Sequence, residues 1–143
     1  MHVRDGMSKV VLTVGPGHTL RQAAALMARR KVGAAVVSDP EGEGFGILTE
    51  RDILMSVAQG QDPDAERVCD HLTPDIVVAA PDWSLEQAAI EMLKGGFRHL
   101  VVVDGGEISG ILSVRDVVRC WTDDGASCEV PQRTGAAQAA GVA

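Results

Sequence analysis

The segment Gly46-Ile47-Leu48-Thr49-Glu50-Arg51-Asp52 returns almost unchanged as Gly110-Ile111-Leu112-Ser113-Val114-Arg115-Asp116, 64 residues later. The repetition extends well beyond this segment. Val3, Asp5, Met7 and Ser8 match Val68, Asp70, Leu72 and Thr73 at an offset of 65, and at the same offset Val11 and Pro16 match Ile76 and Pro81. Thr19-Leu20, Ala23-Ala24 and Met27 match Ser84-Leu85, Ala88-Ala89 and Met92, and Val36-Val37 matches Val101-Val102. A one-residue deletion in the turn that follows accounts for the change of offset. A chain built from one unit used twice is expected to bury the open face of each copy against the other. It predicts a pseudo-twofold arrangement, and any site at the seam should come as two related clefts.

Each copy reads as β-α-β-β-α. Val10 to Val14 is short and β-branched and is broken by Gly15-Pro16-Gly17, the pattern of a strand and a turn. Thr19 is a candidate helix cap, and Leu20, Ala23, Ala24 and Met27 follow at helical spacing on one face. Gly33 to Ser38 reads as a buried strand stopped by Asp39-Pro40. Phe45 to Leu48 reads as its hairpin partner, and Glu50 to about Ala58 as the closing helix. The expected fold class is α/β (α+β): two β-α-β-β-α repeats packed through their sheets. Residues 1–60 form the first repeat, 61–67 the connection and 68–122 the second repeat. Residues 123–143 are Gly- and Ala-rich without periodicity and are expected to be a disordered tail.

Composition narrows the function classes. The net charge is −7 and the chain has two Phe, two Trp and no Tyr. That combination disfavours nucleic acid, which needs positive surface and stacking platforms. No apolar run approaches the length of about 18 residues needed to span a membrane, and no signal-peptide pattern opens the chain. Three cysteines without CxxC spacing argue against a disulfide framework or a zinc site, and for reduced thiols in a cytoplasm. The four histidines are scattered, and no HExxH, GxSxG, Walker A or GxGxxG motif occurs. No catalytic residues and no metal site are expected, and the chain reads as non-enzymatic.

Thr49-x-x-Asp52 and Ser113-x-x-Asp116 each stand where a strand gives way to a helix. On chemistry alone they are helix caps, the hydroxyl accepting from an amide one turn on and the carboxylate favouring the positive helix end. An ionised carboxylate is also an acceptor able to hold a vicinal diol, and a helix N-terminus is a natural anion site. The two roles are compatible.

Two β-α-β-β-α units, each ending in Gly-hydrophobic-hydrophobic-(Thr/Ser)-x-x-Asp, resemble a tandem pair of CBS (cystathionine β-synthase) domains, a Bateman module. The resemblance covers roughly residues 3–121 and leaves no room in this sequence for a separate enzyme, so a stand-alone CBS-pair protein is expected. The resemblance implies a regulatory sensor binding an adenosine-containing ligand (AMP, ADP, ATP, NAD or S-adenosylmethionine), with no tightly bound cofactor. It implies that Thr49 and Asp52 meet Arg98 and His99 in one cleft, with Ile47 and Val77 against adenine. Ser113 and Asp116 meet Gly33 and Ala34 in the other, with Leu12 and Ile111 against adenine. Arg98-His99 in one copy corresponds to Gly33-Ala34 in the other, so the first cleft is expected to be the better phosphate site and the second to take a less charged or larger adenosine group or to stay empty. Arg51 and Arg115 stay open between phosphate contact, pairing across a dimer and solvation. CBS pairs commonly form homodimers through their helices, for which the Ala23-Ala24 and Ala88-Ala89 faces are candidates. A scaffold whose motif residues only cap helices is the alternative.

Overall fold

The computed structural model describes residues 1–38, 44–73 and 76–123. β1 (Thr13–Val14), β2 (Ala34–Ser38) and β3 (Phe45–Thr49) form one sheet. β4 (Val78–Ala79), β5 (His99–Asp104) and β6 (Glu107–Ser113) form a second with the same order. In each, the first pair is parallel and the second antiparallel. The parallel pair requires a crossover, supplied by α2 (Leu20–Arg30) in one copy and α4 (Leu85–Gly95) in the other. α3 (Glu50–Ala58) follows β3, and α5 (Val114–Asp123) follows β6.

Alternation along the strands divides the apolar residues into three cores. Ala35, Val37 and Leu48 pack with Leu20, Ala23 and Met27 of α2. Leu100, Val102 and Leu112 do the same with Leu85, Ala88 and Met92 of α4. The residues between them point the other way: Ala34, Val36 and Ile47 meet Val101 and Ile111 in a third cluster that joins the two sheets. The repeats thus pack through their sheets, as their pattern requires.

Local chemistry sets the element ends. Thr19 caps α2, its hydroxyl accepting from the Gln22 N–H at 3.1 Å. α4 stops at Gly96, which takes the left-handed conformation at φ 69°. Gly105 and Gly106, both at positive φ, turn the β5–β6 hairpin.

Three expectations need correction. The strand expected at Val10–Val14 contracts to Thr13–Val14, with Val10 exposed, although the Leu12 carbonyl still accepts from the Val36 N–H at 2.9 Å. β2 begins at Ala34 because the Gly33 carbonyl serves the first N–H of α3 (Glu50, 2.9 Å). The leading segment of each repeat also packs on the other unit. α1 (Val3–Gly6) lies in the second unit's core through Val3, whose N–H donates to the Trp83 carbonyl at 2.8 Å. Ser8 pairs with Ile111. In mirror fashion the 3-10 turn Val68–Asp70 buries Val68 in the first unit's core, and Thr73 pairs with Ile47. The units that pack together are therefore not the units that repeat in sequence. Asp123 closes α5; the rest of the expected tail and the Asp39-Pro40 stop lie outside the described residues.

Candidate functional site

β3 delivers Thr49 to the start of α3, and the pair Thr49/Asp52 forms a reciprocal cap. The Asp52 N–H donates to Thr49 Oγ1 at 3.3 Å. The Thr49 N–H and hydroxyl donate to Asp52 Oδ2 at 2.8 and 3.1 Å. Asp52 Oδ1 accepts from no donor among the described residues. The second unit brings its α4–β5 junction against this helix start, and Arg51 Nη1 donates to the Gly96 carbonyl at 3.2 Å.

Between these elements lies a cavity of about 280 Å³. Thr49, Asp52, Arg98, His99, Ile47 and Val77 all line it, so the first cleft's expected residues from the two repeats converge on one space. The expected set omits Glu50, Thr73, Ile76 and Phe97, which also line it, and leaves open Arg51, which does so as well. Glu50 and Arg51 could have been found, since they sit inside the repeated motif. Thr73 arrives through the exchange of leading segments, which no local pattern reveals. The lining is charge-balanced, with Arg51 and Arg98 against Glu50 and Asp52.

His99 is more than a second cation. Burial lowers its pKa from the ordinary 6.5; the carboxylates of Glu50 and Asp116 oppose the shift and the Arg98 charge adds to it. The imidazole is therefore neutral at pH 7 and offers a hydrogen bond, leaving Arg98 and Arg51 as the charges for an anion. Gly33 stands beside it: a Cβ there would meet Glu50 Oε1 at 3.2 Å and His99 Cε1 at 3.3 Å. The missing side chain lets these two groups approach each other across the seam.

The second cleft's residues are placed differently. Ser113 and Asp116 repeat the cap, with the Ser113 N–H donating to Asp116 Oδ2 at 2.8 Å and the Asp116 N–H to Ser113 Oγ at 3.1 Å. Ala34 and Ile111 belong to the seam core. Leu12 does not reach the seam: it packs with Val14 and Leu20 in the first unit's own core, while its neighbour Val11 takes the seam-facing position. None of Gly33, Ala34, Leu12, Ile111, Ser113 and Asp116 lines the 280 Å³ cavity. Arg115 has no hydrogen bond or ion pair among the described residues. No group of three or more His, Cys, Asp and Glu side chains able to hold a metal ion occurs among them.

The profile of the CBS domain matches this chain twice, over residues 2–59 and 68–123. The chain belongs to the CBS-domain family. CBS pairs are regulatory modules, and the stand-alone ones are generally not enzymes. The CBS domain-containing protein YhcV of Bacillus subtilis (strain 168) is 37% identical over 116 residues, covering 80% of this chain and 81% of the relative. The hexameric CBS-CP12 protein from bloom-forming cyanobacteria superimposes with a TM-score of 0.81 at 26% identity, over 91% of this chain and 76% of that one. The CBS domain pair of protein MJ0100, solved with 5′-methylthioadenosine and S-adenosyl-L-methionine, superimposes at 0.78 and 24% identity, over 87% of this chain and 98% of that one. At that identity the likeness speaks for the fold. Among the described residues no helix is long and apolar enough to cross a membrane.

Proposed function

We propose that this CBS pair is a cytoplasmic, non-enzymatic sensor of an adenosine-containing ligand (AMP, ADP, ATP, NAD or S-adenosylmethionine), bound in the first cleft. The observation that carries this reading is the 280 Å³ cavity, in which Asp52 and Thr49 of one unit meet Arg98 and His99 of the other. Asp52 has a carboxylate oxygen left over from its cap, the acceptor that a ribose diol needs. Arg98 and Arg51 supply charge for a phosphate or carboxylate, and the apolar Ile47, Ile76 and Val77 suit a purine face. A ligand touching both units stabilises one relative arrangement of them, the physical basis of a sensor.

A homodimer is part of this reading. Ala23 and Ala88 are fully buried inside their own units, while Ala24 and Ala89 beside them are half-buried and keep part of the alanine faces available for that contact. Exposed apolar residues on the closing helices, Leu54 and Val57 of α3 and Val118 and Trp121 of α5, also support helix-mediated association. Cytoplasmic placement is supported by the free thiols of Cys69 and Cys120.

The scaffold reading keeps one observation in its favour: both motifs do cap their helices. A thermal-shift panel with the five ligands separates the two readings. A ligand at 100 times its dissociation constant adds about 2.7 kcal/mol of apparent stability. Absence of a shift with every one of them removes the sensor reading and leaves the scaffold.

A further inference from the structure

The two copies of the motif leave their carboxylates in different states. In both, Oδ2 accepts from the backbone N–H of the capping residue at 2.8 Å. Oδ1 differs. On Asp116 it accepts from Arg119 Nη2 at 2.8 Å, and the same guanidinium nitrogen reaches the Gly6 carbonyl of α1 at 3.3 Å. On Asp52 it accepts from nothing among the described residues. One difference between the copies explains this. At the motif's offset of 64 residues, Arg119 corresponds to Met55, which has no donor and is 54% exposed. Both positions stand three residues after the aspartate, where helical side chains meet.

We infer that Arg119 closes the second cleft to adenosine ligands by occupying the carboxylate oxygen that a ribose diol would take, so that each chain holds one ligand, at Asp52. Each carboxylate oxygen can accept more than one hydrogen bond, so what separates the copies is position. The Arg119 guanidinium sits on Asp116 Oδ1, the oxygen that stays open on Asp52, and a diol must displace it to be held by both oxygens. Arg119 is itself held by two acceptors on different segments, α5 and α1, so displacing it costs both contacts. The inference rests on the ligand reading of the first cleft and assigns Arg119 as the residue that sets stoichiometry.

The test is isothermal titration with 5′-methylthioadenosine, chosen because it is uncharged and the second cleft has no cation from Gly33-Ala34. The expected stoichiometries are one per chain for the unaltered protein, none for Asp52→Ala and two for Arg119→Met. The double variant Asp52→Ala/Arg119→Met should regain one site and lose it again with Asp116→Ala. The methionine is what the first repeat carries at this place, so α5 should accept it. Arg119→Leu, which likewise has no donor, gives the same gain if the Met variant is poorly folded by circular dichroism. Two sites in the unaltered protein, or one site persisting in both folded Arg119 variants, overturns the inference and spares the sensor. A site surviving in Asp52→Ala overturns the assignment to the first cleft. No binding of 5′-methylthioadenosine by any variant overturns this inference, while the sensor reading stands or falls with the five-ligand thermal-shift panel.

Discussion

At Asp52 one carboxylate oxygen accepts the Thr49 N–H and hydroxyl while the other is unengaged among the described residues, so capping and ligand binding can be separated by substitution. In Asp52→Asn the side-chain oxygen still caps, and the lost charge at the helix start costs about 0.3–1 kcal/mol by urea denaturation. Hydrogen bonds to a charged group contribute about 1.5–3 kcal/mol each. Nucleotide affinity should therefore fall roughly 10- to 100-fold by calorimetry, an effect far larger than the stability change. A stability change with unaltered affinity would assign Asp52 to capping alone. His99 gives the pH dependence. Its folded pKa lies below the ordinary 6.5, so on acidification the unfolded chain takes the proton first. Its share of stability is complete above the unfolded value and is lost as pH falls from there through the folded value. His99→Gln should show a smaller drop in urea midpoint between pH 7.5 and 5.5 than the unaltered protein. An equal drop would show that another group titrates.

The glycine that opens each motif explains itself at the scale of elements. A Cβ on Gly110 in β6 would lie 2.7 Å from the Ser8 carbonyl oxygen and from Met7 Sδ. One on Gly46 in β3 would lie 2.9 Å from the Thr73 carbonyl oxygen and 2.7 Å from Leu72 Cδ1. The repeated Gly thus admits the leading segment of the other repeat against the strand; it is a packing residue in a motif otherwise read for ligand chemistry. Gly46→Ala and Gly110→Ala should each cost about 1–3 kcal/mol of unfolding free energy, the usual range for overpacking against backbone. Gly17→Ala, where an added Cβ meets nothing within 4 Å, should stay within about 0.5 kcal/mol. Equal effects at all three would remove the close-approach explanation. Much at this scale is legible in the sequence. The cap at Thr19, the hairpin at Gly105-Gly106 and the helix at Glu50–Ala58 each follow from local residue chemistry. The i,i+3 spacing of Asp116 and Arg119 is legible too, but no local pattern foretells the Gly6 carbonyl that completes the contact.

For the whole molecule the exchange of leading segments matters most. Val3 is fully buried among second-unit residues and Val68 among first-unit residues, so each unit is completed by chain from the other repeat. Removing residues 1–8 should therefore weaken the second unit, far away in sequence. By hydrogen exchange, protection should fall in α4 and α5 well before α2. Uniform loss across both units would mean that the seam core of Val36, Ile47 and Val101 makes the two open as one body. The same seam places Arg98 and His99 opposite Thr49 and Asp52, so an event in the first cleft acts on both units together.

The sequence by itself determined the duplication, the β-α-β-β-α order, the capping aspartates and the unequal distribution of Arg98-His99 against Gly33-Ala34, because repeats, periodicity and capping are local properties of the chain. The tertiary structure decided which side of the seam Leu12 takes, where Thr73 and Glu50 stand in the cavity, and that Arg119 is held by Asp116 and Gly6 together. Those outcomes depend on contacts between segments far apart in sequence, fixed only when two sheets and two exchanged segments close on one another.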